Sequence, residues 1–229
     1  MSKNRNVILA LLVSLAFPVS GWAAPCYGTH MPQAQHIFAG AQTYNVLKRS
    51  LEDDYGKVRS LQNFILLSYG IFDWLSLDLK GGAGNIKEYP SSTDRVSYTT
   101  FLGGGYGFRL KVFEHEQTKM VFGFQHISIH PETASVGASK QKAVLDDWQF
   151  SFLASQQIGK LTPYLGTRWS RMDEIRWVDT VRKRVKSDLG KSIGLIAGTD
   201  IFLTPKIWLN IEGQFLDATA VAGSINFEF

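Results

Sequence analysis

Two short stretches of the chain hold side chains that could do chemistry. The first is His126-Ile127-Ser128. Residues two apart share one face of an extended strand, close enough for an imidazole to act as base toward a serine hydroxyl. A third, acidic member is not identifiable: Glu132 falls in the following loop, and Lys140 is basic. The face is also open. Phe122 and Phe124 fall in step with His126 and Ser128, while Ile127 and Ile129 make the opposite face apolar too. The alternative is a pair of polar strand residues near a rim.

The second stretch is basic. Arg171, Arg176, Arg182, Lys183, Arg184, Lys186 and Lys191 fall within 21 residues, with Trp177 among them. In an extended chain Arg182, Arg184 and Lys186 share one face. Such a strip attracts polyanions, and arginine can grip phosphate through two parallel bonds. Arg176, Arg182, Arg184 and Lys186 are therefore the candidate binding residues. Asp173, Glu174, Asp179 and Asp188 partly balance them, so an ordinary solvated loop is the alternative. Cys26, His30, Met31 and His36 are soft or borderline metal ligands, but their spacing matches no standard site. Gly190-Lys191-Ser192 ends like a phosphate loop, yet Val185 stands where its first glycine must be. No metal and no cofactor is expected.

The elements that must position these residues follow a targeting segment. Lys3 and Arg5 precede an apolar core from Val7 to Val19, and Gly21-Trp22-Ala23 offers the small residues of a cleavage site. Residues 1–23 read as a secretory signal peptide. Pro25 stands ahead of Cys26 where a lipoprotein signal needs a small residue. The whole chain of 229 residues carries 24 Lys and Arg against 20 Asp and Glu. Without Lys3 and Arg5 the basic count is 22 and the net charge +2, which argues against a nucleic-acid binder. One cysteine excludes an internal disulfide. No later run of about 18 apolar residues exists, so no transmembrane helix is expected.

After a short periplasmic lead-in at 24–36, residues 37–229 repeat one unit of alternating run, tight turn, alternating run and polar loop. Ten runs can be placed, near 37–49, 59–69, 74–87, 96–112, 119–130, 146–158, 162–169 and beyond, 191–203, 207–215 and the C-terminus. Eight is the alternative, because the first two are weakest. In the last run Phe229, Phe227, Ile225, Gly223 and Val221 fall on one face, and Glu228, Asn226 and Ser224 on the other. One face suits hydrocarbon and the other a polar interior. An open sheet edge cannot be satisfied in lipid, so the fold must be all-β: a closed antiparallel up-and-down transmembrane β-barrel.

On these residues the chain resembles the bacterial outer-membrane β-barrel class, and within it the small opacity and attachment-type barrels. The resemblance implies the outer membrane as location, contact with outer-membrane lipids and lipopolysaccharide, and delivery to the barrel-insertion machinery through Phe229. The His126-x-Ser128 pair is similar to one carried by small outer-membrane lipid A deacylases, where a glutamate completes it. Ten strands is similar to the omptin proteases, but the Asp and His two apart that those need are missing.

With the polar faces inward, the lumen receives Asp78, Asp147, Asp200, Glu212 and Glu228 against Lys80, Arg109, Lys111 and Arg168. On the fourth strand Ser97 and Thr99 are expected inward, and Tyr98, Leu102 and Tyr106 outward. Small barrels are filled by their own side chains, and buried charges must pair. The expected function is a non-enzymatic barrel whose surface loops contact envelope molecules or ligands. The alternatives are a narrow porin-like channel for small solutes and a lipid A-modifying hydrolase.

Overall fold

The structure is a computed structural model that describes residues 28–229. The expected signal peptide and residues 24–27 of the lead-in, Cys26 among them, lie outside the described residues. The elements in chain order are β1 (Ile37–Ser50), β2 (Gly56–Phe72), β3 (Leu75–Pro90), β4 (Val96–His115), β5 (Thr118–Ile129), β6 (Ala134–Val136), β7 (Ser139–Gln156), β8 (Leu161–Val178) and β9 (Val181–Lys186). A 3-10 turn (Leu189–Lys191), β10 (Ile193–Thr204), β11 (Ile207–Phe215) and β12 (Ala218–Glu228) follow. No helix among the described residues is long and apolar enough to cross a membrane.

Ten of these strands close a ring. β1 to β5 pair in sequence, β5 pairs with β7, β7 with β8, β8 with β10, and β10 to β12 continue until β12 pairs with β1. Every pairing is antiparallel. The closing seam sets Gly223 opposite Thr43. The ring therefore leaves no edge within the wall, as a sheet in lipid requires. The short β6 and β9 are extra: they pair with the far ends of β7 and β8 and carry those two hairpins beyond the ring.

The wall obeys the two-residue period of a strand. In β2, Ile65 is 65% exposed while its neighbour Leu66 is fully buried. Leu61, Leu67, Leu77, Leu79, Leu195, Ile211, Val221 and Ile225 are likewise exposed. They form an outward apolar belt suited to hydrocarbon. Trp74, Trp148, Phe72 and Phe229 stand near its borders, as in the aromatic girdles of membrane barrels. Tight turns join β2 to β3, β4 to β5, β7 to β8 and β10 to β11 at one end. Most connections at the other end are longer. The chain folds as a small ten-stranded barrel of the outer-membrane type.

The glycines of β4 allow that wall to pack closely. A methyl added at Gly105 would stand 2.5 Å from the His126 carbonyl oxygen.

Two expectations are corrected and a third is refined. Tyr98 is buried in the lumen, while Ser97 and Thr99 are exposed. The reason is a bulge: Phe101 faces Gly84 but Tyr98 faces Ile86, so β4 advances three residues while β3 advances two. One extra residue reverses every side chain beyond it. Lys111 keeps the inward parity, opposite Val121, but sits at the mouth rather than deep in the lumen. It is half-buried near the tight-turn end, where it donates to Glu114, which also pairs with Lys119 at 3.0 Å. Residues 174–190 are not one loop, because β8 runs on to Val178 and returns as β9.

Candidate functional site

Lumen and outer wall divide the polar residues between them, and the lumen is filled. Asp78 receives both Nε and Nη2 of Arg109 at 2.9 Å and the Ser68 hydroxyl at 2.5 Å. Lys80 donates to Gln42 at 2.9 Å. Asp217 receives Arg49 at 2.6 Å and Arg168 at 2.8 Å, and Arg168 also meets Gln214. Asp200 accepts from Asn210 at 2.8 Å, and Glu212 accepts from Tyr164 at 3.0 Å. Asp147 accepts from Ser170 at 2.9 Å. Toward the long-hairpin end an apolar group of Val46, Val58, Ile86, Ile127, Ile129 and Leu145 packs across the interior.

Arg49, Glu88, Glu174 and Asp217 join the lumen although polarity alone did not assign them there. Arg49 follows a register shift in β1, which moved it to the inward parity. Arg176, expected in the surface binding set, also points inward. It lies in step with Met172 and Glu174 and donates to Glu88 at 2.8 Å. No group of three or more potential metal ligands occurs among the described residues.

The tight-turn mouth is occupied by the chain's own lead-in. Thr29 donates to Ser155 at 2.7 Å, and Arg109 donates to the His30 carbonyl at 2.5 Å. The His30 ring lies 4.4 Å from Trp208 and 5.3 Å from Phe202, and its Nε2 is 3.3 Å from Glu228.

The outer wall near the long-hairpin end carries the rest. In β5 the odd residues Val121, Gln125, Ile127 and Ile129 are buried in the lumen. His126 and Ser128 therefore face outward with Phe122 and Phe124. His126 sits 4.2 Å from Trp148 and 5.4 Å from Tyr106, ring centre to ring centre. Ser128 donates to Asp146 Oδ1 at 2.5 Å, and its Oγ is 2.9 Å from His130 Nε2. His126 Nε2 lies 3.7 Å from the same Asp146 oxygen. The acid that spacing did not reveal thus comes from β7, which sets Asp146 opposite Ser128.

The same face continues across β8 and β9. The register sets Asp173 opposite Lys186, Ile175 opposite Arg184 and Trp177 opposite Arg182. Arg182, Arg184 and Lys186 thus stand in one outward row. Asp173 is buried beneath Arg171, at 3.2 Å, and Arg184. Lys142 and Arg182 lie over the Trp177 ring at 5.5 and 5.6 Å. Beside them a cleft of about 380 Å³ is lined by Thr133, Lys140, Lys142, Trp177 and Asp179. Trp148 and Trp169 lie just below on the belt side, opposite Arg171 and Phe150 in the register, where membrane barrels carry aromatic girdles.

No protein-family model matches the chain, and no curated protein does. Solved structures do resemble it in fold. The transport unit of the autotransporter AIDA-I from Escherichia coli is 11% identical with a TM-score of 0.49, covering 96% of this chain and 97% of that one. An outer-membrane channel from Pseudomonas putida F1 is 10% identical with a TM-score of 0.44, covering 93% and 100%. The attachment invasion locus protein Ail of Yersinia pestis is 7% identical with a TM-score of 0.41, covering 86% and 97%.

Proposed function

We propose that the protein is a closed, non-conducting barrel of a bacterial outer membrane that holds anionic glycolipid, lipopolysaccharide above all, against its outward basic face. Membrane barrels keep short turns in the periplasm and longer connections outside, which directs the basic face to the outer leaflet. The observation that carries the reading is the row of Arg182, Arg184 and Lys186 beside Lys142 and Trp177, directly beyond the apolar belt. Phosphates at headgroup depth meet arginines there, and sugar rings meet a tryptophan face. The packed lumen weighs against the alternative of a narrow solute pore.

Binding of lipopolysaccharide to the purified protein in detergent tests the reading. Neutralising Arg182, Arg184 and Lys186 to glutamine should weaken binding about tenfold or more, since each lost charge-assisted bond is worth about 1.5–3 kcal/mol. The difference should shrink as salt screens the exposed charges. Equal affinity of variant and parent at low salt would refute it.

A further inference from the structure

The face that holds glycolipid also contains a serine hydroxyl touching both an imidazole and a carboxylate. We infer that Ser128 is a nucleophile toward acyl esters of outer-leaflet lipids, with His130 as its base. This rests on the binding face only for delivery of the substrate. The chemistry rests on geometry: Ser128 Oγ is 2.9 Å from His130 Nε2 and 2.5 Å from Asp146 Oδ1, within the reach required of a base and its nucleophile.

The placement suits an ester. Ser128 lies one outward position beyond His126, Trp148 and Tyr106, at the depth where lipid acyl chains join their headgroups. Across the strand pair, Ser128 faces Gly104, so no side chain covers the hydroxyl from that side. Leu102 and Tyr106 flank this gap and are exposed, offering apolar contact to an acyl chain.

The step balances without a cofactor. The Ser128 hydroxyl turns from Asp146 to His130, which takes its proton as Oγ bonds to the ester carbonyl carbon. The carbonyl electron pair moves onto oxygen. The wall's backbone amides are committed to the sheet, so the His126 ring, on the same outward face with its Nε2 3.7 Å from Asp146 Oδ1, is the side chain that can donate to that oxygen. Collapse breaks the bond to the alcohol oxygen, which receives the proton from His130. Water, activated by His130, then releases the fatty acid and restores Ser128.

A fluorophosphonate probe and fatty-acid release test this together on the processed protein in detergent. Two lipid arms separate the ester sources: lipopolysaccharide, and vesicles of phosphatidylglycerol with phosphatidylethanolamine. Labelling should map to Ser128, and fatty acid should be released in at least one arm. Ser128→Ala should lose both signals. His130→Gln should slow both by about 100-fold or more, the usual worth of a positioned base, while leaving lipopolysaccharide binding intact. The probe reaches Ser128 without lipid, so a parent protein that is labelled at Ser128 but binds lipopolysaccharide no better than its Arg182, Arg184 and Lys186 neutralisation would remove the binding face alone. No labelling of Ser128 and no release from either lipid would overturn the inference, as would release undiminished in Ser128→Ala.

Discussion

At the scale of single residues, the lumen is held by charges that cannot reach water. Asp78 and Arg109 are both fully buried and joined by two bonds of 2.9 Å. Removing one partner strands the other, and that costs about 3–5 kcal/mol. Asp78→Ala should lower the unfolding free energy by about that much in a denaturant titration in lipid. Replacing both, as Asp78→Leu with Arg109→Met, should recover most of the loss, because apolar residues of similar size restore packing without a lone charge. A double variant as unstable as the single one would contradict this. The inward place of Asp78 and Arg109 was legible, since both sit in runs of clean alternation. Arg176 and Tyr98 were not. The parity of Tyr98 depends on a bulge, which shows in the pairing of β4 with β3 and leaves no mark in the residue types.

At the scale of elements, the lead-in is the part that sequence reasoning missed. Residues 28–36 have no periodicity, and nothing local tells that Thr29 and His30 reach into the barrel. The docking signal lies in distant strands: Ser155, Arg109, Trp208 and Glu228. Burial among aromatic rings holds His30 below its ordinary pKa of 6.5, with Arg109 and Lys119 pushing the same way and Glu228 opposing. The docked form therefore binds its proton less readily than the released form. Docking is at full strength above about pH 6.5 and weakens as pH falls through that value. Protection of the Gln35 amide, which bonds the Gly70 carbonyl at 2.7 Å, reports it. Hydrogen-exchange protection factors at Gln35 should fall between pH 8 and pH 5 in the parent and stay level in His30→Leu. An equal fall in both would remove His30 as the cause.

At the scale of the whole molecule, strand number and filling go together. Ten strands enclose a bore near the size that side chains can occupy, whereas aqueous channels use 16 or more. The number was legible from the count of alternating runs. The filling was legible only as near-equal numbers of inward acids and bases. The structure arranges these in successive tiers along the bore. The lead-in lies at the tight-turn mouth, with Asp78–Arg109 and Asp200–Asn210 above it. Arg49, Asp217 and Arg168, together with the apolar group around Ile127 and Leu145, fill the bore from there toward the long-hairpin end. Closure is thus redundant. The protein should show no steady conductance steps in planar bilayers, and deleting residues 24–36 should leave it silent, because the tiers above the lead-in still block the bore. Ohmic steps from the full protein would refute a packed lumen. Steps that arise only after the deletion would mean instead that the lead-in alone closes it.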